Sequence, residues 1–475
     1  MQRRRIQGAY RRYACGVAAG LSLLGQVVLC GQTPISPPLA PQTPLTIDEA
    51  VQLALKNYPA IAESRARAQA ADASVAVAQT AYLPRLDAVW QENRATNNNV
   101  FGLLLPQGVI PPISGPVLGT HAYDGVWSSA GGVLLSWEAV DFGLRRAGVD
   151  VARAQRTVAE ARRDLTQLDV AGAAADAYLT VLAADEAVRA ARANVDRLQV
   201  FANIVTTLVT NQLRPGADQS RANAELAIAK NQVSQAVQVA EIARASLANL
   251  IGAAGTTVVV AAGRLSAPPA VTPLSAPDAK SHPVARIDFA AIDVVKARER
   301  QLDRSYVPHL ILQSAFAARG TGAQVPNLPA PASGLYPQVP NWALGASITF
   351  PAFDFFSIRA RRRVEVQNEA AETAHYQQTL QTLTTQDARA RALMTAATEI
   401  AQNTPVERQA ATEAESRARA RYDSGLASIT EVAEAQRLLA QAEADDAVAR
   451  VGVWRALLAA AQVRGDLTPF LNQVK

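Results

Sequence analysis

After its first 40 or so residues, this chain is one structural unit written twice, which limits it to folds in which two equivalent halves share one framework. Asn57-Tyr58-Pro59-Ala60-Ile61 recurs as Ser281-His282-Pro283-Val284-Ala285, and Ala81-Tyr82-Leu83-Pro84-Arg85-Leu86 recurs as Ser305-Tyr306-Val307-Pro308-His309-Leu310, both at an offset of 224 residues. Ser136-Trp137-Glu138-Ala139-Val140-Asp141-Phe142 is answered by Thr349-Phe350-Pro351-Ala352-Phe353-Asp354-Phe355 at 213, and Arg214-Pro215-Gly216 by Asp423-Ser424-Gly425 at 209. A stepwise shrinking offset in a constant order predicts that residues were lost from loops while the elements between them kept their lengths.

Each copy reads the same way. A helix is expected from Asp48 to about Tyr82, opened by a Thr46/Glu49 capping box and stopped by Pro84. Two strands follow in each copy, at about 84–98 and 124–142 and at about 308–319 and 341–353, with Pro/Gly-rich loops between them (Phe101 to His121; Gly320 to Pro340). Trp342, Leu344, Ala346, Ile348 and Phe350 share one face, opposed by Asn341, Ala343, Gly345, Ser347 and Thr349. Trp127, Val133, Leu135 and Trp137 against Ser128, Ala130, Gly132 and Ser136 repeat this pattern. An apolar face with aromatics near its ends is what a membrane barrel strand carries, and also what one side of a soluble sandwich carries.

A very long helix comes next. Leu144, Ala147, Val151, Ala154, Val158, Ala161, Leu165 and Leu168 alternate spacings of three and four, a coiled-coil seam. It turns at Leu213-Arg214-Pro215-Gly216, and Asp218 is expected to cap the returning helix to about Leu250. The layout is then a signal segment (1–30), a Pro-rich linker (31–45), a first repeat (46–254, hairpin 144–250), a second linker (255–281), a second repeat (282–465, hairpin 357–464) and a short tail (466–475).

The first 30 residues place Arg3, Arg4, Arg5, Arg11 and Arg12 before an apolar run from Gly16 to Leu29, the pattern of an export signal rather than a bilayer span. Without those arginines a chain of net charge +5 is near neutral, so its basic pI does not point to nucleic acid. Both cysteines, Cys15 and Cys30, lie in or beside the signal, which leaves an exported chain with no disulfide. Cys30 is a candidate lipidation site, although Val27-Val28-Leu29 lacks the small residue usual before such a cysteine. No phosphate loop, HExxH or Gly-X-Ser-X-Gly elbow occurs, and His121, His282, His309 and His375 lack ligand spacing and read as surface residues. No enzyme, cofactor or metal site is expected.

Four strands cannot close a transmembrane barrel, which needs at least about eight, and open strand edges are not viable in lipid. Strands that enter a membrane therefore require several chains to share one barrel.

These landmarks resemble the TolC-like outer-membrane efflux protein family, the outer membrane factors of tripartite efflux and type I secretion systems. The resemblance covers about residues 45 to 465 and rests on Tyr82-Leu83-Pro84 and Tyr306-Val307-Pro308, on Asp141-Phe142-Gly143 and Phe353-Asp354-Phe355, and on the run from Arg421 to Leu438. It implies a mainly α fold with a small β part: duplicated long helical hairpins forming an α-barrel, plus four amphipathic strands per protomer in a shared 12-stranded transmembrane β-barrel of a trimer. It implies strand starts and ends at Pro84, Asp141, Pro308 and Asp354, and a belt around the helical tube from about Gly252 to Ser281 and the chain ends. It further implies a cell-outer-membrane location with a long periplasmic part, contact with outer-membrane lipid, and a periplasmic adaptor and inner-membrane pump as partners. The implied role is the exit duct for small molecules such as drugs and toxic compounds, with metal efflux or type I protein secretion as alternatives within the channel class. An exported coiled-coil tether is the alternative outside it.

In this family the periplasmic entrance closes at the second hairpin. Glu431 and Glu434 take the positions of its paired aspartates and Tyr422 that of its gate tyrosine. Two carboxylates at i and i+3 share a helical face, and a threefold axis would stack them into acidic rings that attract cations; an ordinary solvated Glu-rich face is the alternative. The family's gate arginine is replaced by Ala427, which leaves Arg419 or Arg421 to rewire the lock. Arg214, Pro215, Gly216, Asp218, Ser424, Gly425 and Leu426 are the implied adaptor-facing hairpin tips. The acidic pair after the turn is read in the second copy only.

Overall fold

The computed structural model describes residues 44–96, 98, 121, 123–269, 278–322, 334–351 and 353–474. The signal segment, Cys30 and much of the loop between the strands of each pair lie outside the described residues.

The chain runs α1 (Ile47–Asn57), α2 (Pro59–Gln79), β1 (Arg85–Thr96), β2 (Gly125–Val140), α3 (Leu144–Thr210), α4 (Gly216–Leu250), α5 (Pro283–Arg304), β3 (His309–Thr321), β4 (Val339–Thr349), α6 (Phe355–Asp423), α7 (Ile429–Arg464) and α8 (Thr468–Val474). The Thr46/Glu49 capping box opens α1. The single first helix expected from Asp48 to Tyr82 is two: Tyr58 is extended (ψ 126°) and α2 restarts with Pro59 at its first position. The proline ring disfavours α geometry in the residue before it, so the break is local chemistry. In the second copy His282-Pro283 opens α5, and His282 Nδ1 accepts from the Val284 N–H at 3.2 Å. His282 is therefore a buried cap, contrary to its reading as a surface residue.

The long helices α3 and α6 have 67 and 69 residues, roughly 100 Å each at 1.5 Å per residue. Most tertiary packing lies along α3, which touches α1, α2, α4, α5 and α7. The main core forms midway along it. There Tyr178, Leu179, Val181 and Leu182 pack with Ile47, Val51, Leu247, Ile251 and Leu458. Residues 45 and 258–265 wrap this level: Leu45 pairs in parallel with Val260, and the Tyr178 hydroxyl reaches Leu45 O at 2.8 Å and Ala261 O at 2.6 Å. Trp454 donates from Nε1 to Ala267 O at 2.9 Å and meets Phe470 of α8 edge-on. The belt segments thus attach to the middle of the hairpins.

The four strands form one antiparallel sheet in the order β1-β2-β3-β4, which joins the copies through β2 and β3. Register puts Leu86, Val133, Leu135, Phe316, Trp342 and Leu344 on one face, and all are exposed. Ser128, Gln313 and Asn341 belong to the other, where Leu134 also lies. β2 and β3 approach so closely at Gly132 that an added Cβ would lie 2.5 Å from the Ala317 Cβ. Pro84 and Pro308 directly precede β1 and the β3 segment. Asp141 ends β2 by accepting the Gly143 N–H and the Arg145 Nε at 3.2 and 3.0 Å, while Arg145 also lies over the Tyr82 ring. Asp354 caps α6 without a side-chain bond, and there Phe355 packs between Tyr306 and Phe356 instead.

Burial pushes the Tyr178 phenol up to about 12 from an ordinary 10.0. Its folded pKa is raised, so the stabilisation is complete below the unfolded value and lost as pH climbs toward the folded one. In thermal melts Tyr178→Phe should cost about 1 kcal/mol at neutral pH, the size of one net hydrogen bond. It should also make the alkaline decline in Tm shallower; an identical decline in both proteins would assign it to other groups.

Candidate functional site

Two helix ends build the far end of the hairpins. At the first, the Gln212 N–H bonds Val209 O and the Leu213 N–H bonds Leu208 O, both at 2.9 Å. At the second, Gly425 bonds Tyr422 O at 2.9 Å and Leu426 bonds Arg421 O at 2.8 Å. These are the same left-handed C-terminal motif, with Gln212 (φ 58°) standing where the second copy has Gly425 (φ 77°). The two turns therefore correspond at an offset of 213, not 209, and Gly252 and Gly465 extend that offset to the ends of α4 and α7. The offset drops once, between the strands of a pair, and then holds.

Corrected pairing changes what the side chains mean. Arg214 corresponds to Ala427, Pro215 to Ser428 and Asp218 to Glu431. The arginine missing after the second turn is thus present after the first, and the first copy keeps one of the two acids. Asp218 does not cap α4. Pro215 occupies the N-cap without a side-chain bond, Gly216 begins the helix, and the Asp218 carboxylate accepts the Tyr422 hydroxyl at 3.0 Å. Ser428 does cap α7, in a capping box closed by Glu431.

Tyr422 is the hub where the hairpins meet. It is fully buried, with the Arg214 guanidinium 4.4 Å over its ring and the same Arg214 donating to Tyr422 O. Phe201 of α3 meets it edge-on at 5.6 Å, and Leu198, Val205, Leu226, Ile429 and Val432 close the cluster. Burial, then the hydrogen bond to Asp218, push its phenol up to about 12. Further along, Arg437 of α7 bonds Glu225 of α4 at 3.3 Å and Arg197 of α3 bonds Glu443 of α7 at 2.7 Å. Charge-assisted ties with partly buried partners are stronger than open surface pairs.

The acidic pair is less uniform than its spacing suggests. Glu431 serves the capping box and lies 3.7 Å from Arg421, which also donates to Leu426 O at 3.2 Å. Glu434 is exposed and makes no ion pair among the described residues. Of Arg419 and Arg421, it is Arg421 that reaches the second turn, beside Arg214 from the first hairpin. Ser424 bonds back to Ala420 O, and Leu213 and Leu426 project into solvent at the two tips. The Arg214–Tyr422–Asp218 cluster was missed at the sequence level because the turns were aligned by their glycines. Aligned by the left-handed residue, the turns set Arg214 opposite Ala427 and Asp218 opposite Glu431. Among the described residues no group of His, Cys, Asp or Glu could hold a metal ion, and no helix is long and apolar enough to cross a membrane.

Residues 50–253 and 319–465 match the family described as outer membrane efflux protein. The chain belongs to the outer membrane efflux protein family. It is 26% identical to protein CyaE of Bordetella pertussis over 252 residues, 53% of this chain and 49% of that protein, so it spans about half the length of this curated relative. The outer-membrane channel OprN is similar at a TM-score of 0.71 and 22% identity, covering 88% of this chain and 89% of that one. The open state of the Neisseria gonorrhoeae MtrE outer membrane channel is similar at 0.70 and 20%, over 88% and 89%. The mainly α fold with four antiparallel strands, expected from the TolC-like resemblance, is the fold of this outer membrane efflux protein.

Tyr422→Phe deletes one hydroxyl and leaves the ring, its Arg214 contact and its packing in place. It should destabilise by about 1 kcal/mol in urea unfolding, and amide exchange should quicken around both turns together. Faster exchange at only one turn would mean that the hydroxyl does not join them.

Proposed function

We propose that three copies of this chain form the exit duct of a tripartite efflux pump, exporting small toxic molecules across the periplasm and outer membrane. One observation carries the reading: four strands with an outward apolar face stand at one end of two roughly 100 Å helical hairpins. Among the described residues β1 and β4 each have one strand neighbour, so the sheet has two open edges. In hydrocarbon such edges must be paired, and three four-stranded sheets closing edge to edge give a barrel of the required kind. A tether outside the membrane would have no use for that face.

At the opposite end, Leu213 and Leu426 at the hairpin tips offer apolar contacts to a periplasmic adaptor. Tyr422 with Arg214 and Asp218 holds the two hairpins of one chain together, while Glu431 and Glu434 supply negative charge beside the entrance. Outer-membrane fractions should yield a trimer that resists detergent and collapses on heating; a soluble monomer would refute the duct. In planar bilayers, Glu431→Gln with Glu434→Gln should weaken block by divalent cations. Gln still closes a capping box, so the variant changes charge rather than the turn. Unchanged block would remove both residues from the entrance.

A further inference from the structure

Two polar side chains of the helical wall have no bond within the chain, and both line the same cavity. Among the described residues, the buried polar side chains of the helices are Asn194, Asp288, Thr404, Gln436 and Asp446. Asp288 accepts the Thr379 hydroxyl, and Thr404 donates to Asp446. Asn194 of α3 and Gln436 of α7 are 6% and 4% exposed, yet Asn194 Oδ1 and both Oε1 and Nε2 of Gln436 have no protein partner. Buried amide atoms left unpaired oppose folding, so two such side chains on one space call for a partner from outside the chain. That space measures about 400 Å³ and lies between α3, α4 and α7. Alanines hold it open: Ala187 on α3, Ala229 on α4 and Ala440 on α7 each present a single carbon where a larger side chain would fill the gap. Leu198 and Ile228 extend the apolar wall. The charged groups on the lining, Glu225 and Arg437, bond each other at 3.3 Å, so the cavity offers no unpaired charge.

We propose that this cavity binds a small uncharged molecule carrying a primary carboxamide on a compact apolar body. The unpaired atoms are two acceptors, Asn194 Oδ1 and Gln436 Oε1, and one donor group, Gln436 Nε2. A primary carboxamide is their complement, with two N–H bonds to give and a carbonyl to accept. A carboxylate lacks the donors, and an amidinium lacks the acceptor and brings a charge that the paired Glu225 and Arg437 leave unanswered. Water answers the amides but gains nothing from the alanine, leucine and isoleucine walls, whereas an apolar body buries its surface there. The volume suits a ligand of this size, because small-molecule sites are mostly apolar cavities with a few placed polar groups. The site is complete within one chain and does not depend on the trimeric duct. Its position gives binding a consequence. Asn194 belongs to the first hairpin and Gln436 to the second, and Leu198 is shared with the cluster around Tyr422. A molecule held between them stabilises the two hairpins as they are packed here, by mass action.

The experiment is amide exchange on the detergent-purified full-length protein, titrated with benzamide as the probe and with toluene, benzoate and benzamidinium as controls. Benzamide should slow exchange saturably in the stretches of α3, α4 and α7 that line the cavity. It should bind roughly tenfold more tightly than any control, because a site built to hydrogen-bond a group rejects analogues without it. Gln436→Leu keeps the approximate shape and removes the amide, so it should weaken benzamide roughly tenfold and leave toluene unchanged. Ala440→Leu and Ala187→Leu fill the cavity from opposite helices, and each should abolish the protection. If one of them fails to fold, the other decides. Benzamide that protects no better than toluene, or equally well in a filled variant, would overturn the site, as would a crystal structure in which benzamide leaves ordered water in the cavity. A heat-sensitive trimer that ignores benzamide would overturn the site and leave the duct standing. A monomer that binds it as described would do the reverse.

Discussion

The backbone edge of a strand cannot remain open in hydrocarbon, and the architecture of this protein is organised around that constraint. Among the described residues one chain builds four strands, and β1 and β4 each have one neighbour. The apolar face of the sheet is continuous across both copies, because the β2–β3 pairing keeps Val133, Leu135 and Phe316 on the side where Leu86 and Trp342 lie. The constraint also explains why the duplication is useful. Joining two copies in one polypeptide halves the number of intermolecular sheet junctions that a closed ring needs.

The helical part answers a different demand: two long hairpins must stay in register far from the sheet. Midway along, Tyr178 ties the belt to α3 through the carbonyls of Leu45 and Ala261. At the turns, Tyr422 joins the hairpins through Asp218 and Arg214. Both are tyrosines with no solvent exposure, each spending its one hydroxyl on a contact remote in sequence. Between them the ties are arginine–carboxylate pairs, Arg197–Glu443 and Arg437–Glu225. A chain with almost no lysine uses guanidinium groups here, whose planar fork meets a carboxylate with two bonds.

Much of this was legible from the residues. The long helix over Leu144 to Leu168 and the period-two pattern of the strands are direct physical consequences of helix and strand geometry. Of the expected seam, however, only Ala147 and Ala161 are buried, together with Val149 and Ala152, which lie off it. The break at Tyr58 is written in Pro59, but the helical pattern continues beyond it and masks the break. The turn was harder. A left-handed residue is usually sought at glycine, so Gly216 was matched to Gly425, when the residue in that conformation is Gln212. That four-residue error hid Arg214 as the counterpart of Ala427 and gave Asp218 a capping role that Pro215 and Gly216 leave no need for. The burial of His282 and the hub around Tyr422 depend on segments remote in sequence, which local periodicity does not contain.

The single drop in offset from 224 to 213 has one more consequence. All of it falls between the strands of a pair, so the first copy carries about 11 more residues across that gap than the second. In a threefold ring the six connections at that end would alternate long and short, while the six turns at the other end share one backbone motif. The two mouths of such a duct would then differ in symmetry: one a true threefold rim, the other close to sixfold in its backbone and threefold only in its side chains.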